Sequence, residues 1–134
     1  MCLTIHAMSM DDIQPDCWNY ELPGGFRVLA GKTDVDNDML SLRLAAANDL
    51  WFHARGLPGS HVLLRHPDGL KPDSAAIKAA ASIAAWHSKA RNAGRVPVCF
   101  TEAKHVGKPR GAKAGSVTIK REKIIKVRPA LPEA

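Results

Sequence analysis

The sequence predicts an α+β fold: one domain built on a mostly antiparallel mixed sheet, with a long helix against one face. Three observations carry this. Segments of strand composition outnumber helical ones and do not alternate regularly with them, which argues against a βαβ array. The stretch from Ser74 to Ala93 is the clearest helical segment of the 134 residues. Two aliphatic segments, Leu50–Arg55 and His61–Arg65, flank a Pro58-Gly59 turn.

Taken in order, residues 1–17 show no clean periodicity and read as an N-terminal extension of unknown role. The folded unit is expected over 18–128, with 129–134 as a tail. Trp18 to Tyr20 start it, Pro23-Gly24-Gly25 turns, and Phe26 to Ala30 form a strand that Gly31 ends. Asp36 or Asn37 is a good helix N-cap, because its side chain can accept from the open N–H groups of the first turn. Met39, Leu40, Leu42 and Leu44 follow at helical spacing, so a short helix is expected over about 38–46. Pro58 and Gly59 suit the central positions of a type II turn, which needs positive φ at the glycine. A loop covers 67–72. Asp73 or Ser74 then caps a helix over about 74–93, whose stripe Ile77, Ala80, Ala81 and Ala84 is small enough to lie close to a sheet. Gly94 ends it. Arg95–Phe100 reads as a buried strand and Lys104–Val106 as a short extension. Ser116–Lys120 and Ile124–Val127 read as a hairpin joined by Arg121-Glu122-Lys123.

Composition narrows the function. No apolar run approaches the ~20 residues of a membrane span, and Met1 to His6 do not read as a secretory signal. Cys2, Cys17 and Cys99 are too few and too irregular for a disulfide framework, which fits a reducing cytoplasm. Cys2, His6 and Cys17 lack the fourth ligand and paired spacing of a zinc site, so no metal or cofactor is expected. The chain carries +6, unevenly: residues 1–50 hold eight acids against three bases, and the remainder holds sixteen bases against five acids. Such a balance suggests a polyanionic partner, most simply nucleic acid.

Strand parity concentrates the chemistry. Side chains alternate faces with period two. Pairing the apolar sets puts Leu50, Phe52, Ala54, Val62 and Leu64 toward the core. Trp51, His53, Arg55, His61 and Arg65 then gather on the opposite face, with Leu63. One indole, two imidazoles and two guanidiniums could stack a base and hold phosphates. A bland alternative is that Trp51 packs under a loop and His53 is a satisfied core histidine. A hydrolytic alternative makes His53 and His61 acid and base on an RNA phosphodiester, with an arginine steadying the phosphorane and no metal needed. Enzymes of that kind usually carry a hydroxyl residue two positions after each histidine; here Arg55 and Leu63 stand there. P-loop, dinucleotide, nucleophile-elbow and HExxH patterns are absent.

A second site is expected in Lys104–Arg128, which carries nine of the nineteen bases and one acid, Glu122. Lys108, Arg110 and Lys113 are interleaved with Gly107, Pro109, Gly111 and Gly115; Lys104 and Lys120 flank them. Glycines let backbone N–H groups join lysines around a phosphate.

Several of these segments come in one order and spacing: Asn37-Asp38, Asp49-Leu50-Trp51-Phe52-His53, Pro58-Gly59-Ser60-His61-Val62, and Val106-Gly107-Lys108-Pro109-Arg110-Gly111-Ala112-Lys113-Ala114-Gly115. In this combination, from about Tyr20 to Val127, the chain resembles the NFACT-R domain, the RNA-binding module of the NFACT proteins. The resemblance implies a structural role for Asn37, Asp38, Asp49, Pro58, Gly59, Gly111 and Gly115. It implies non-catalytic binding of structured RNA, with tRNA or large-subunit ribosomal RNA as the class. In its best-known setting the domain belongs to a ribosome quality-control factor that recruits tRNA for C-terminal tailing. The NFACT N-terminal domain and coiled coil do not appear in this sequence, so a stand-alone form is expected. A protein-interaction module meeting an acidic partner is the further alternative, and DNA stays open as a ligand because a basic face reads phosphates before sugars.

Overall fold

The computed structural model describes residues 14–132. Strands β1 (Cys17–Leu22), β2 (Phe26–Gly31), β3 (Leu50–Ala54), β4 (Val62–Arg65) and β5 (Val96–Glu102) are followed by a short pair, β6 (Val106–Gly107) and β7 (Thr118–Ile119), and by β8 (Lys123–Val127). Six of them form one sheet in the order β1-β2-β4-β3-β5-β8, every neighbouring pair antiparallel. The fold is α+β, with helix α2 (Ser74–Trp86) on one face. Helix α1 (Asp34–Met39) and the π-helical turn Leu40–Leu44 lie toward the other.

The parity argument holds for the first face. Trp51 pairs with Leu63 and Phe52 with Val62. Phe52, Ala54, Val62 and Leu64 are buried under α2, with Leu50 packed beside them. The facing stripe of α2 is nearly all alanine: Ala76, Ala80, Ala81, Ala84 and Ala85, with Ile83 supplying bulk. Small side chains let the helix axis approach the sheet closely. Ile77, expected in that stripe, is only half-buried.

The second face differs from the expectation of a solvated surface. Leu29, Leu40, Trp51, Leu63 and Cys99 form another apolar cluster, packed against Leu44, Val106, Val117 and Ile119. The π-helical turn and the 106–119 segment cover the sheet centre there, so its middle strands are buried on both sides.

Three local expectations are corrected. The short helix begins earlier than 38, because Thr33 rather than Asp36 or Asn37 is its N-cap and accepts from the Asp36 N–H at 3.1 Å. At its end the Ala45 N–H reaches the Leu40 carbonyl (3.1 Å), which widens the last turn. The long helix is capped by Asp73 as read (Ala76 N–H to Oδ1, 2.9 Å) but stops at Trp86, not Ala93. Beyond it the backbone pairs with the Pro58-Gly59 loop: Ser60 N–H donates to the His87 carbonyl (2.9 Å) and Lys89 N–H to the Pro58 carbonyl (3.1 Å). Those groups would otherwise continue the helix. The 116–127 hairpin does not form; β7 pairs with β6, and β8 extends the main sheet beside β5.

Candidate nucleic-acid interface

The motif residues interlock before they present anything outward. Asn37, buried at the end of α1, accepts the His61 N–H on its Oδ1 at 3.0 Å. Ser60 Oγ donates to the Gly31 carbonyl at 2.6 Å. Trp51 Nε1 donates to Ser41 Oγ (2.8 Å), and that oxygen lies 2.8 Å from His61 Nδ1. A hydroxyl has one proton. Its oxygen accepts from the indole, and a second hydrogen bond joins it to the His61 imidazole in either tautomer. Burial pushes the imidazole down to about 4, and His53, in edge contact at 5.4 Å, acts in the same direction. Burial likewise lowers His53.

This network removes two residues from the expected platform. Trp51 is 2% exposed and His61 3%, so neither offers a ring to a base. Leu63, placed on the same outward face, is fully buried. The cause is the second apolar cluster, which parity within one hairpin does not reveal. His53 is half-buried. Arg65 Nε pairs with Asp49 Oδ2 at 2.9 Å, and the same carboxylate oxygen accepts the Ala46 N–H at 2.9 Å. Arg55 alone of the five is exposed.

The expected turn at Pro58-Gly59 is also different. Gly59 is not among the positive-φ glycines. Glycine is needed there because a Cβ would stand 2.9 Å from Ser88 Cβ and 3.0 Å from the His87 carbonyl oxygen.

The glycine-rich segment is anchored by one of its own lysines. Lys108 Nζ lies 3.1 Å from Asp38 Oδ2 and donates to the carbonyls of Lys113 (2.6 Å) and Ser116 (3.0 Å). Asp38 Oδ1 accepts the Gly115 N–H at 3.1 Å. Gly115 sits at φ +86, and a Cβ there would meet the Asp34 carboxylate. Lys108 is thus turned inward and engaged, whereas Arg110 and Lys113 are exposed on the loop it secures. Lys104 and Lys120 are exposed on the flanking backbone, which is tied by Lys120 N–H to the His105 carbonyl (3.1 Å) and by Thr101 Oγ1 to the Lys120 carbonyl (2.7 Å). The sequence reading missed Ser41, the pivot between Trp51 and His61; a serine in an amphipathic stretch carries no such signal.

Among the described residues no cluster of three or more His, Cys, Asp or Glu could hold a metal; Cys2 and His6 lie outside them. Burial raises both described thiols, Cys17 to about 11, so neither is an anionic nucleophile at neutral pH. No helix is long and apolar enough to cross a membrane among the described residues.

The family model for the NFACT protein RNA binding domain matches residues 17–121. The chain belongs to this family. Curated relatives carry the name Rqc2 homolog RqcH. The protein of Bacillus subtilis (strain 168) is 43% identical over 110 residues, covering 82% of this chain and 19% of its own length. That of Streptococcus suis (strain 05ZYH33) is 42% identical over 102 residues, 76% of this chain and 18% of its own. The chain therefore spans about a fifth of these relatives. A solved structure described as the C-terminal of the fibronectin/fibrinogen-binding protein from Streptococcus suis matches with a TM-score of 0.79 at 38% identity. It covers 88% of this chain and 46% of that one. The NFACT RNA-binding fold thus reaches across both sheet faces and the anchored basic loop.

Proposed function

We propose that the chain binds structured RNA without acting on it chemically, holding phosphates on the anchored loop. One observation supports this most: Lys108 and Asp38 fix a glycine-rich backbone so that Arg110 and Lys113 project from it, with Lys104 and Lys120 alongside. A preformed loop loses little conformational freedom on binding. Family membership supports RNA as the ligand, and the RqcH relatives support a setting in ribosome quality control; within that reading the chain acts in the cytoplasm and takes tRNA or large-subunit ribosomal RNA. Arg55, exposed at the end of β3, is a further phosphate contact. The two-histidine phosphodiesterase reading loses its geometry, because His61 is buried and its Nδ1 already engaged. A titration of a structured RNA against salt tests the proposal: each phosphate contact should contribute ~0.7–0.9 to the log–log slope. A flat dependence refutes it. The same RNA, incubated without metal and run on a gel, should stay intact.

A protein-binding reading has one observation in its favour, the fibronectin/fibrinogen-binding protein whose C-terminal structure this chain matches. Binding that ignores added RNA competitor would favour it.

A further inference from the structure

The exposed aromatic surface lies elsewhere than on the β3–β4 hairpin. Trp18 pairs with Ala30 and Tyr20 with Val28 across β1–β2, so both point to the α2 side of the sheet. Just past the end of α2, the His87 ring stacks on Trp18 with centroids 4.3 Å apart and planes within 18°. Its Nε2 lies 2.6 Å from the Tyr20 hydroxyl. Burial and then Arg91 push the His87 imidazole down to about 4, so at neutral pH an uncharged ring shares this hydrogen bond with Tyr20. The ring is held from the other direction too. The His87 carbonyl accepts from Ser60, and Gly59 bridges to Ser88. The Pro58-Gly59-Ser60 loop therefore fixes the position of His87 beneath Trp18.

The result is a rigid indole, 39% exposed, at the rim of a depression. Lys32 Nζ lies 5.4 Å from the indole centroid, Lys89 is exposed beside it, and Arg91 is held there by Nε donating to the Trp86 carbonyl (2.7 Å), its guanidinium over the Trp86 ring with its outer N–H groups exposed. Three carboxylates also stand here: Asp34 lines the depression, Asp16 holds Lys32 at 3.3 Å, and Asp36, which accepts the Asp16 N–H at 2.9 Å, is near enough for the Lys32 charge to act on it. Three cations against three anions leave no net charge to track a duplex backbone. They suffice for one phosphate beside a stacked ring.

We propose that Trp18, backed by His87, is the stacking site for one unpaired RNA base, with Lys32, Lys89 and Arg91 holding the phosphate attached to it. This rests on the RNA-binding reading above and adds a second contact, separate from the basic loop. Every base has a π-face, so such a site accepts single-stranded ends or loops with little regard for sequence. Lys32 sits on a flexible stem and can pass from Asp16 to the phosphate.

The test uses the full chain and two probes: a hairpin RNA with a short single-stranded 3′ overhang, and the same hairpin blunt-ended. Wild type should prefer the overhang. Trp18→Ala should weaken the overhang probe roughly 5- to 150-fold, the loss of one stacked base, and leave the blunt probe unchanged. Trp18→Tyr should retain most of the preference, and its melting curve controls for folding. A 4-thiouridine in the overhang should cross-link to the peptide containing Trp18. If wild type binds both hairpins equally, or Trp18→Ala keeps the preference, the stacking site is refuted while the basic loop stands. Failure of wild type to bind either hairpin refutes both. Loss of binding to a protein ligand but not to RNA in Trp18→Ala would assign the surface to protein recognition and overturn the proposal.

Discussion

Replacing Lys108 separates an anchor from a contact. The ammonium faces the Asp38 carboxylate at 3.1 Å and two carbonyls at 2.6 and 3.0 Å, and the two side chains are 25% and 19% exposed. Lys108→Met keeps the stem and removes the charge. It leaves a partly desolvated carboxylate without its cation and two carbonyls without a donor. A fully buried pair broken in this way costs ~3–5 kcal/mol, and an exposed pair ~0–1. Partial exposure puts the expected loss between them, at ~1–3 kcal/mol. For a chain of 134 residues each kcal/mol moves Tm by roughly 3–5 °C, so melting should fall by about 3–15 °C. Asp38→Asn should recover part of that loss in the double variant, since the stranded charge is then gone. Lys113→Ala is the contrast. Its side chain is exposed, and the carbonyl that Lys108 holds is retained, so Tm should stay within ~2 °C while the RNA salt slope drops by ~0.7–0.9. If Lys108→Met melts like wild type and lowers the salt slope by one contact, the lysine faces RNA and the anchoring argument is wrong.

Between pH 6.5 and about 4, unfolding should take up protons at His61 and His87. Both are depressed to about 4 in the folded chain, and His53 is also lowered. Their neutral forms are favoured only when folded, so stability is complete above pH 6.5 and falls as pH drops toward 4, by roughly 3 kcal/mol for His61 alone; urea midpoints at pH 7 and 5 that coincide would contradict this. Gly59→Ala should cost ~1–3 kcal/mol through overpacking against Ser88 and speed amide exchange over 87–93, read by mass spectrometry. Trp51→Phe should lower stability by ~1–2 kcal/mol, because Ser41 loses the indole donor, yet bind RNA like wild type once folded; a selective loss of affinity in a variant with normal melting would return Trp51 to the interface.

Much of the fold was legible because one face of the sheet follows period two and the long helix has an alanine stripe. Leu50, Phe52, Ala54, Val62 and Leu64 were assigned to the core on parity alone, and they pack there. The opposite face was misread because its cover is non-local. Leu40, Val117 and Ile119 come from segments that carry no sequence sign of meeting Trp51 and Leu63. Helix length failed for a related reason. Ala75 to Ala93 has helical composition throughout, but pairing with Pro58–Ser60 takes the backbone groups of His87 and Lys89. That in turn hid the platform, since a His87 inside a helix would not be expected to stack on Trp18. The inward turn of Lys108 was equally hidden: among five lysines and arginines at 104–120, type and spacing do not say which one meets Asp38.

The residues with the most distinctive spacing in this chain are those that face inward. Asn37 holds the His61 backbone, Asp38 holds Gly115 and Lys108, Asp49 holds Arg65 and Ala46, and Ser41 joins Trp51 to His61. Each needs one atom at one place, so its identity is constrained. In the proposed interface Arg110, Lys113, Lys104 and Lys120 need only bring positive charge to a phosphate, which tolerates either cation and a shift of an ångström or two. It follows that Lys113→Arg should be mild for RNA binding. Asp38→Glu, which conserves charge but moves the carboxylate by one methylene, should loosen the loop and weaken every RNA together. A site read from unusual residues therefore finds the frame first, and the contacts proposed for RNA are the ordinary side chains that the frame holds still.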